Sequence, residues 1–153
     1  MLEKKYQLKF IDYSSSEYYE AARLRYRLFY QEHGVSFELI FDPQEEQNLH
    51  LVITNNSEDR VLAYGQLSQN SSDEFQIHQM VVEPEYQGQG LGKLILQTLI
   101  TVATQQGANR LLLNARVTKV KFYQKSGFES IGEVFASLST GIPHIKMQKK
   151  ILR

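Results

Sequence analysis

Where one stretch of this chain passes from a strand into a helix, three glycines stand two residues apart: Met80-Val81-Val82-Glu83-Pro84-Glu85-Tyr86-Gln87-Gly88-Gln89-Gly90-Leu91-Gly92-Lys93. The chemistry such a turn offers belongs to the main chain. The first N–H groups of a helix have no internal partner, and the helix dipole favours negative charge there. Glycines that let the backbone approach closely therefore make a seat for a phosphate. Spacing decides which phosphate. A dinucleotide turn needs G-x-G-x-x-G, yet after Gly88 and Gly90 the third glycine position is Lys93. A Walker A loop needs G-x-x-x-x-G-K-[ST], yet counting back from Gly92-Lys93 puts Gln87 at the first glycine and Leu94 at the Ser/Thr. Both nucleotide patterns fail, and the plain alternative is a tight strand-to-helix connection. Elsewhere the histidines His33, His50, His78 and His144 are scattered, with no H-x-x-x-H or H-E-x-x-H pair, so no metal site is expected. The chain has no cysteine, which removes disulfides, thiolate ligands and a thiol nucleophile.

One pattern does fit at every fixed position. Gln87-Gly88-Gln89-Gly90-Leu91-Gly92, after the exit Val82-Glu83-Pro84, reads Q/R-x-x-G-x-G/A. It resembles the acetyl-CoA pyrophosphate loop of the GNAT superfamily of N-acetyltransferases. A second segment, Phe122-Tyr123-Gln124-Lys125-Ser126-Gly127-Phe128, resembles the family's [FL]-Y-x-K-x-G-F. The resemblance implies acetyl-CoA as cosubstrate, with Gln87, Gly88, Gln89, Gly90, Leu91, Gly92 and Lys93 around its diphosphate. It implies backbone groups of Met80, Val81 and Val82 along its pantetheine arm, on a strand that splays from its neighbour. It makes Tyr123 the general acid for the CoA thiolate, since a phenol of pKa about 10 is protonated at neutral pH. It points to His78 as base, on a strand where alternation lets only one of His78 and Gln79 face the cleft. Relatives carry an asparagine and an alanine seven and four residues before the tyrosine, where this chain has Arg116 and Lys119. Asn114 is then a cofactor-binding candidate out of register. Arg27-Leu28-Phe29-Tyr30-Gln31-Glu32 and Thr140-Gly141-Ile142-Pro143-His144-Ile145-Lys146-Met147 resemble elements of the ElaA-like branch. Its acidic run after the first helix is replaced by Glu38-Leu39-Ile40-Phe41-Asp42.

These residues need a scaffold. Alternation around Leu8, Phe10 and Ile11 predicts a first strand over Gln7 to Tyr13. Ser14 with Glu17 has capping-box spacing, and Ala21, Leu24 and Leu28 extend a helix from about Ser15 to Glu32 with Arg23, Arg25 and Arg27 on a solvated face. Gly34 to Gln47 reads as loop with room for one short helix. Its acids Glu38, Asp42, Glu45 and Glu46 form either a solvated surface or an entrance for a cationic amine. Strands follow over Leu49 to Thr54, Arg60 to Leu67 and Phe75 to Val82, the first two joined by the turn Asn55 to Asp59. Leu91, Leu94, Ile95, Thr98, Leu99 and Val102 repeat at helical spacing, giving a helix to about Gln106 with Gly107 as its cap. Leu111-Leu112-Leu113 suits a buried strand parallel to the one before the helix. A short helix over Thr118 to Lys125 and strands over Phe128 to Leu138 and His144 to Ile151 complete the chain. The expected fold is α/β, a mixed and mostly antiparallel sheet with flanking helices and a splayed parallel strand pair.

Composition bounds the partners. Over 153 residues, 17 basic side chains balance 17 acidic ones, which excludes a nucleic-acid-coating tail and a polybasic membrane anchor. At roughly 150 residues per domain, residues 1–153 are expected to form one domain. Neither a signal-peptide pattern at Met1-Leu2-Glu3-Lys4-Lys5 nor an apolar run of ~20 residues is present, so the default location is cytoplasmic. The expected partners are acetyl-CoA and an amine acceptor, a small molecule or a protein amine, with a homodimer left open. A non-catalytic acyl-CoA-binding sensor would use the same loop, and the sequence leaves both readings standing.

Overall fold

The computed structural model describes residues 5–58 and 60–152. Met1 to Lys4, Asp59 and Arg153 lie outside the described residues, and with them the opening residues and the end of the Asn55 to Asp59 turn. Seven strands form one sheet in the order β1-β2-β3-β4-β5-β7-β6. They are β1 (Tyr6–Ile11), β2 (Leu49–Asn55), β3 (Arg60–Gln69), β4 (Glu74–Val82), β5 (Arg110–Arg116), β6 (Glu129–Ala136) and β7 (Pro143–Lys150). Every neighbouring pair is antiparallel except β4 and β5, which run parallel. The mixed, mostly antiparallel sheet and its flanking helices agree with the expected architecture.

Helix α2 (Leu91–Gln105) connects the parallel strands. Leu91, Ile95, Leu96, Leu99, Ile100 and Ala103 form its buried stripe, packed on Leu51, Ala63, Phe75, Leu111, Leu113 and Met147 of the sheet. Helix and sheet approach closely because β3 carries Gly65 here. A Cβ on that residue would sit 2.6 Å from Ile95 Cγ2 and 3.0 Å from Leu99 Cδ1. Gly107 ends the helix at a left-handed φ of 98°, as its position predicted.

The other face of the sheet carries α1 (Ser16–Arg25). Its cap is Ser15, one residue later than the spacing suggested: the Ser15 hydroxyl accepts from the Tyr18 amide at 3.1 Å. The helical path does not run on regularly to Glu32. It widens into a π-helical turn over Tyr26–Tyr30 and tightens into a 3-10 turn over Gln31–His33. Two further 3-10 turns, Phe37–Ile40 and Pro43–Gln47, occupy the segment read as loop.

The largest departure lies between these parts. Arg25, expected on a solvated face, is 1% exposed and pairs with Glu45, expected in a solvated loop, through two contacts of 3.1 and 3.2 Å. The Tyr18 hydroxyl donates to Glu45 at 2.6 Å and the Gln66 amide at 3.1 Å. Burial opposes the Arg25 charge, but the Tyr64 and Glu45 groups facing it outweigh that and hold the guanidinium charged. His50 completes the cluster. Its Nε2 donates to the Glu45 carbonyl and its Nδ1 accepts from the Tyr64 hydroxyl, both at 2.7 Å, and burial lowers its pKa so that the ring stays neutral. The cluster anchors the otherwise irregular segment after α1 to the sheet.

Candidate active site

The parallel pairing of β4 with β5 covers three rungs, Glu74 with Arg110, Phe75 with Leu111 and Gln76 with Leu112, and then stops. Just beyond, β4 bulges. Tyr64 pairs with Val81 and Gln66 with His78, so Gly65 alone stands opposite both Gln79 and Met80. Gln79 adopts a φ of 58°, the one non-glycine residue with positive φ among the described residues. The strands diverge, and a cleft of about 870 Å3 opens through the sheet.

His78, Met80, Val81, Val82, Gln87, Gly88, Gly90, Leu91, Gly92, Lys93, Asn114 and Tyr123 all border this cleft. Gln89 does not: its side-chain oxygen accepts from the Tyr6 hydroxyl at 2.9 Å. Alternation predicted that only one of His78 and Gln79 would face the opening; both border it, as does every residue from Gln76 to Val82, because β4 forms the edge of a cleft that passes through the sheet.

Gly88 and Gly90 take left-handed φ values of 81° and 84°, so the chain turns sharply without side chains over the opening. No side chain caps the first turn of α2, and no acid lies in it. The amides at this helix start are thus left for an acceptor from outside, in a field that favours anions. The turn is braced from behind. The Gln87 amide donates to the Val82 carbonyl at 3.1 Å, and buried Glu83 pairs with both Arg27 and Arg60 at 3.1 Å. This arrangement fits a diphosphate: open backbone donors, glycines where the approach is closest, and Lys93 beside them.

Also on the cleft, the short helix α3 (Val120–Gln124) carries Tyr123, whose ring packs edge-on against Phe122 and Phe128. Burial pushes its phenol up to about 12, so the proton is firmly held at neutral pH. Among the described residues the hydroxyl has no hydrogen-bond partner. His78 is held by Ser68, with Nε2 and Oγ 2.7 Å apart, and burial lowers its pKa, which keeps the ring neutral.

Several lining residues carried little signal in the sequence. Leu28, Phe29 and Tyr30 form one wall from the π-helical turn, which a regular helical period cannot reveal. Phe135, Leu138, Thr140 and His144 form another from β6, β7 and their connection. The Gly141-Ile142-Pro143-His144 stretch marked the second wall only through its resemblance. Arg116 was visible only as a departure from the family's asparagine, and its guanidinium lies 4.9 Å from the centre of the Phe29 ring.

Comparison with known proteins is consistent with this geometry. The Bacillus subtilis (strain 168) protein YjcF, an uncharacterised N-acetyltransferase, is 26% identical over 130 residues, which is 85% of this chain and 90% of YjcF. The crystal structure of Escherichia coli ElaA matches with a TM-score of 0.78 at 21% identity, covering 95% of this chain and 99% of ElaA. A GNAT family acetyltransferase from Elizabethkingia anophelis, solved with acetyl-CoA bound, matches with a TM-score of 0.71 at 16% identity, covering 96% of this chain and 99% of the other. At these identities the two structures speak for the fold. The sequence itself matches the acetyltransferase (GNAT) domain over residues 27–151, and the chain therefore belongs to the GNAT acetyltransferase family.

Proposed function

We propose that this enzyme transfers acetyl from acetyl-CoA directly to a primary amine within the cleft between β4 and β5. The observation that carries the reading is the early end of the parallel pairing, because it brings the uncapped glycine turn, His78 and Tyr123 to one opening. In this reading acetyl-CoA supplies the activated acyl thioester, and the chain supplies position and proton transfers. The amides from Gly88 to Lys93 hold the diphosphate, with Gln87 fixing the turn and Gln89 tying it to β1. Met80, Val81 and Val82 offer backbone groups along the edge that β5 leaves unpaired, with Asn114 across from them.

Holding both substrates in one cleft removes most of the entropy cost of their meeting. His78, kept neutral by burial, takes the proton of the incoming ammonium directly or through water. As the C–N bond forms and the C–S bond breaks, backbone amides near Val82 steady the oxyanion. Tyr123 then donates its proton to the departing thiolate, and the second proton lost by the nitrogen as the amide forms restores the phenol through water. The absence of cysteine and the family resemblance together favour direct attack over a covalent relay. The proposal takes residues 1–153 as one catalytic domain, supported by the single sheet to which all seven strands contribute. It also sets the enzyme in the cytoplasm.

The test is to mix the purified protein with acetyl-CoA and a panel of amines and follow free thiol. Amine-dependent release supports the transferase. Binding of acetyl-CoA with no release from any amine identifies a sensor instead.

A further inference from the structure

Among the described residues that line the cleft, three are basic, Lys93, Arg116 and Lys119, and none is acidic. Two of the three stand on the α2 side of the sheet. Lys93 is in the first turn of α2, and Lys119 leads into α3, whose Val120, Phe122 and Tyr123 pack against the α2-side core. Both are placed to meet the phosphates of the acyl donor.

Arg116 is different. Along β5, Leu111, Leu113 and Ala115 enter the α2-side core, so strand alternation sends Arg116 to the opposite face. There it reaches Phe29, which packs against the α1-side core. Its neighbour in register on β7 is His144, which shares that face and stacks on Phe135 with ring centres 6.0 Å apart. His144 Nδ1 lies 2.8 Å from the Ile142 carbonyl and donates to it. Among the described residues no carboxylate pairs with Arg116. The acids that might have drawn a cationic amine are otherwise engaged: Glu45 in the buried cluster, Asp42 accepting from the Gln44 amide, and none of Glu38, Asp42, Glu45 or Glu46 on the cleft wall.

A guanidinium stacked on an aromatic ring, with its fork of donors free, matches the geometry of a carboxylate or phosphate and can bind it through two parallel bonds. With Lys93 and Lys119 matched by the donor's phosphates, a polycationic acceptor would meet the Arg116 charge and, among the described residues, no carboxylate on the cleft wall. We propose that the acceptor is an amine that also carries an anionic oxygen group, a carboxylate or a phosphate, and that Arg116 binds that group against the Phe29 ring. This deepens the acetyltransferase reading and rests on it for the word acceptor, but the anion site itself does not need turnover.

The experiment uses matched pairs that differ only in the acid: L-phenylalanine against phenethylamine, and phosphoethanolamine against ethanolamine, with spermidine as the polycation. Binding is measured by calorimetry in the presence of CoA, and turnover by thiol release. The expected result is that at least one acid-bearing member binds about tenfold or more tighter than its acid-free partner, as one charge-assisted contact provides. Which pair discriminates tells carboxylate from phosphate. Arg116→Gln should erase the discrimination, acting on acceptor KM more than on kcat, and Arg116→Lys should keep part of it. Equal binding of both members of each pair, or strongest binding of spermidine, overturns the proposal on the unaltered protein. Discrimination in binding with no thiol released from any amine leaves the anion site standing and removes the transferase reading. Thiol release with no discrimination does the reverse.

Discussion

The Gln87 side-chain amide donates to the carbonyl of Val82 at 3.1 Å, across the turn that both residues border. The glutamine occupies a place where an arginine would bring charge to a phosphate, yet its donor is spent on the chain's own backbone. It shapes the turn. Removing it costs about one neutral hydrogen bond, ~1 kcal/mol. Gln87→Ala is expected to weaken acetyl-CoA binding severalfold in calorimetry while lowering Tm by no more than about 2–4 °C, and unaltered affinity would show that the brace is idle.

Gly90 makes a sharper case. Its φ of 84° is one that side-chain-bearing residues rarely adopt, and a carboxylate there would oppose any anion at the helix start. Gly90→Asp should abolish detectable acetyl-CoA binding with α2 still folded by circular dichroism. Retained affinity would remove the glycine turn from the site.

Tyr123 holds its proton because burial disfavours the phenolate. Loss of a general acid typically costs about 10²–10⁴ in rate. For Tyr123→Phe we expect kcat to fall within that range while acetyl-CoA Kd stays within about twofold. A kcat equal to that of the unaltered enzyme would assign the ring to packing alone.

His78 works as a base only when neutral, and burial lowers its pKa below the ordinary histidine value of about 6.5. The base is therefore available from neutral pH down through that value and is lost as pH falls through its lowered pKa. Dividing kcat/KM of the unaltered enzyme by that of His78→Asn cancels the titration of the amine itself. The ratio should be large at pH 7 and fall toward one in acid. A ratio independent of pH would mean that water carries the proton unaided.

The Arg25–Glu45 pair governs stability rather than chemistry. Removing one partner strands the other's charge in the core, which costs about 3–5 kcal/mol. Glu45→Ala should lower the urea midpoint accordingly, whereas Arg25→Met with Glu45→Met should cost less than the two single changes summed. A single-change cost below about 1 kcal/mol would show that water reaches the guanidinium.

Elements whose burial is periodic were legible from the residues alone. Helix α2 announces itself through Leu91, Ile95 and Leu99, and the meander through alternating apolar runs broken by Asn and Ser. The loop and Tyr123 were legible as motifs. Arg25 was not, because pattern reading sends a charge outward, and its partner lies 20 residues on in a segment without a period. The Gln79 bulge left no mark either, since a positive φ at a non-glycine residue is imposed by the strands around it. The wall from Leu28 to Tyr30 stayed hidden because the helical count changes within it.

The two portions of the sheet, β1 to β4 and β5 to β7, share a seam of only three residue pairs. A guest lying in the gap would act as an interposed strand, zipping the two portions together along a line that is otherwise bare to solvent. Occupancy should then be written into amide exchange: the protons of β4 beyond Gln76 would slow markedly, while those at Glu74 and Phe75 would barely respond.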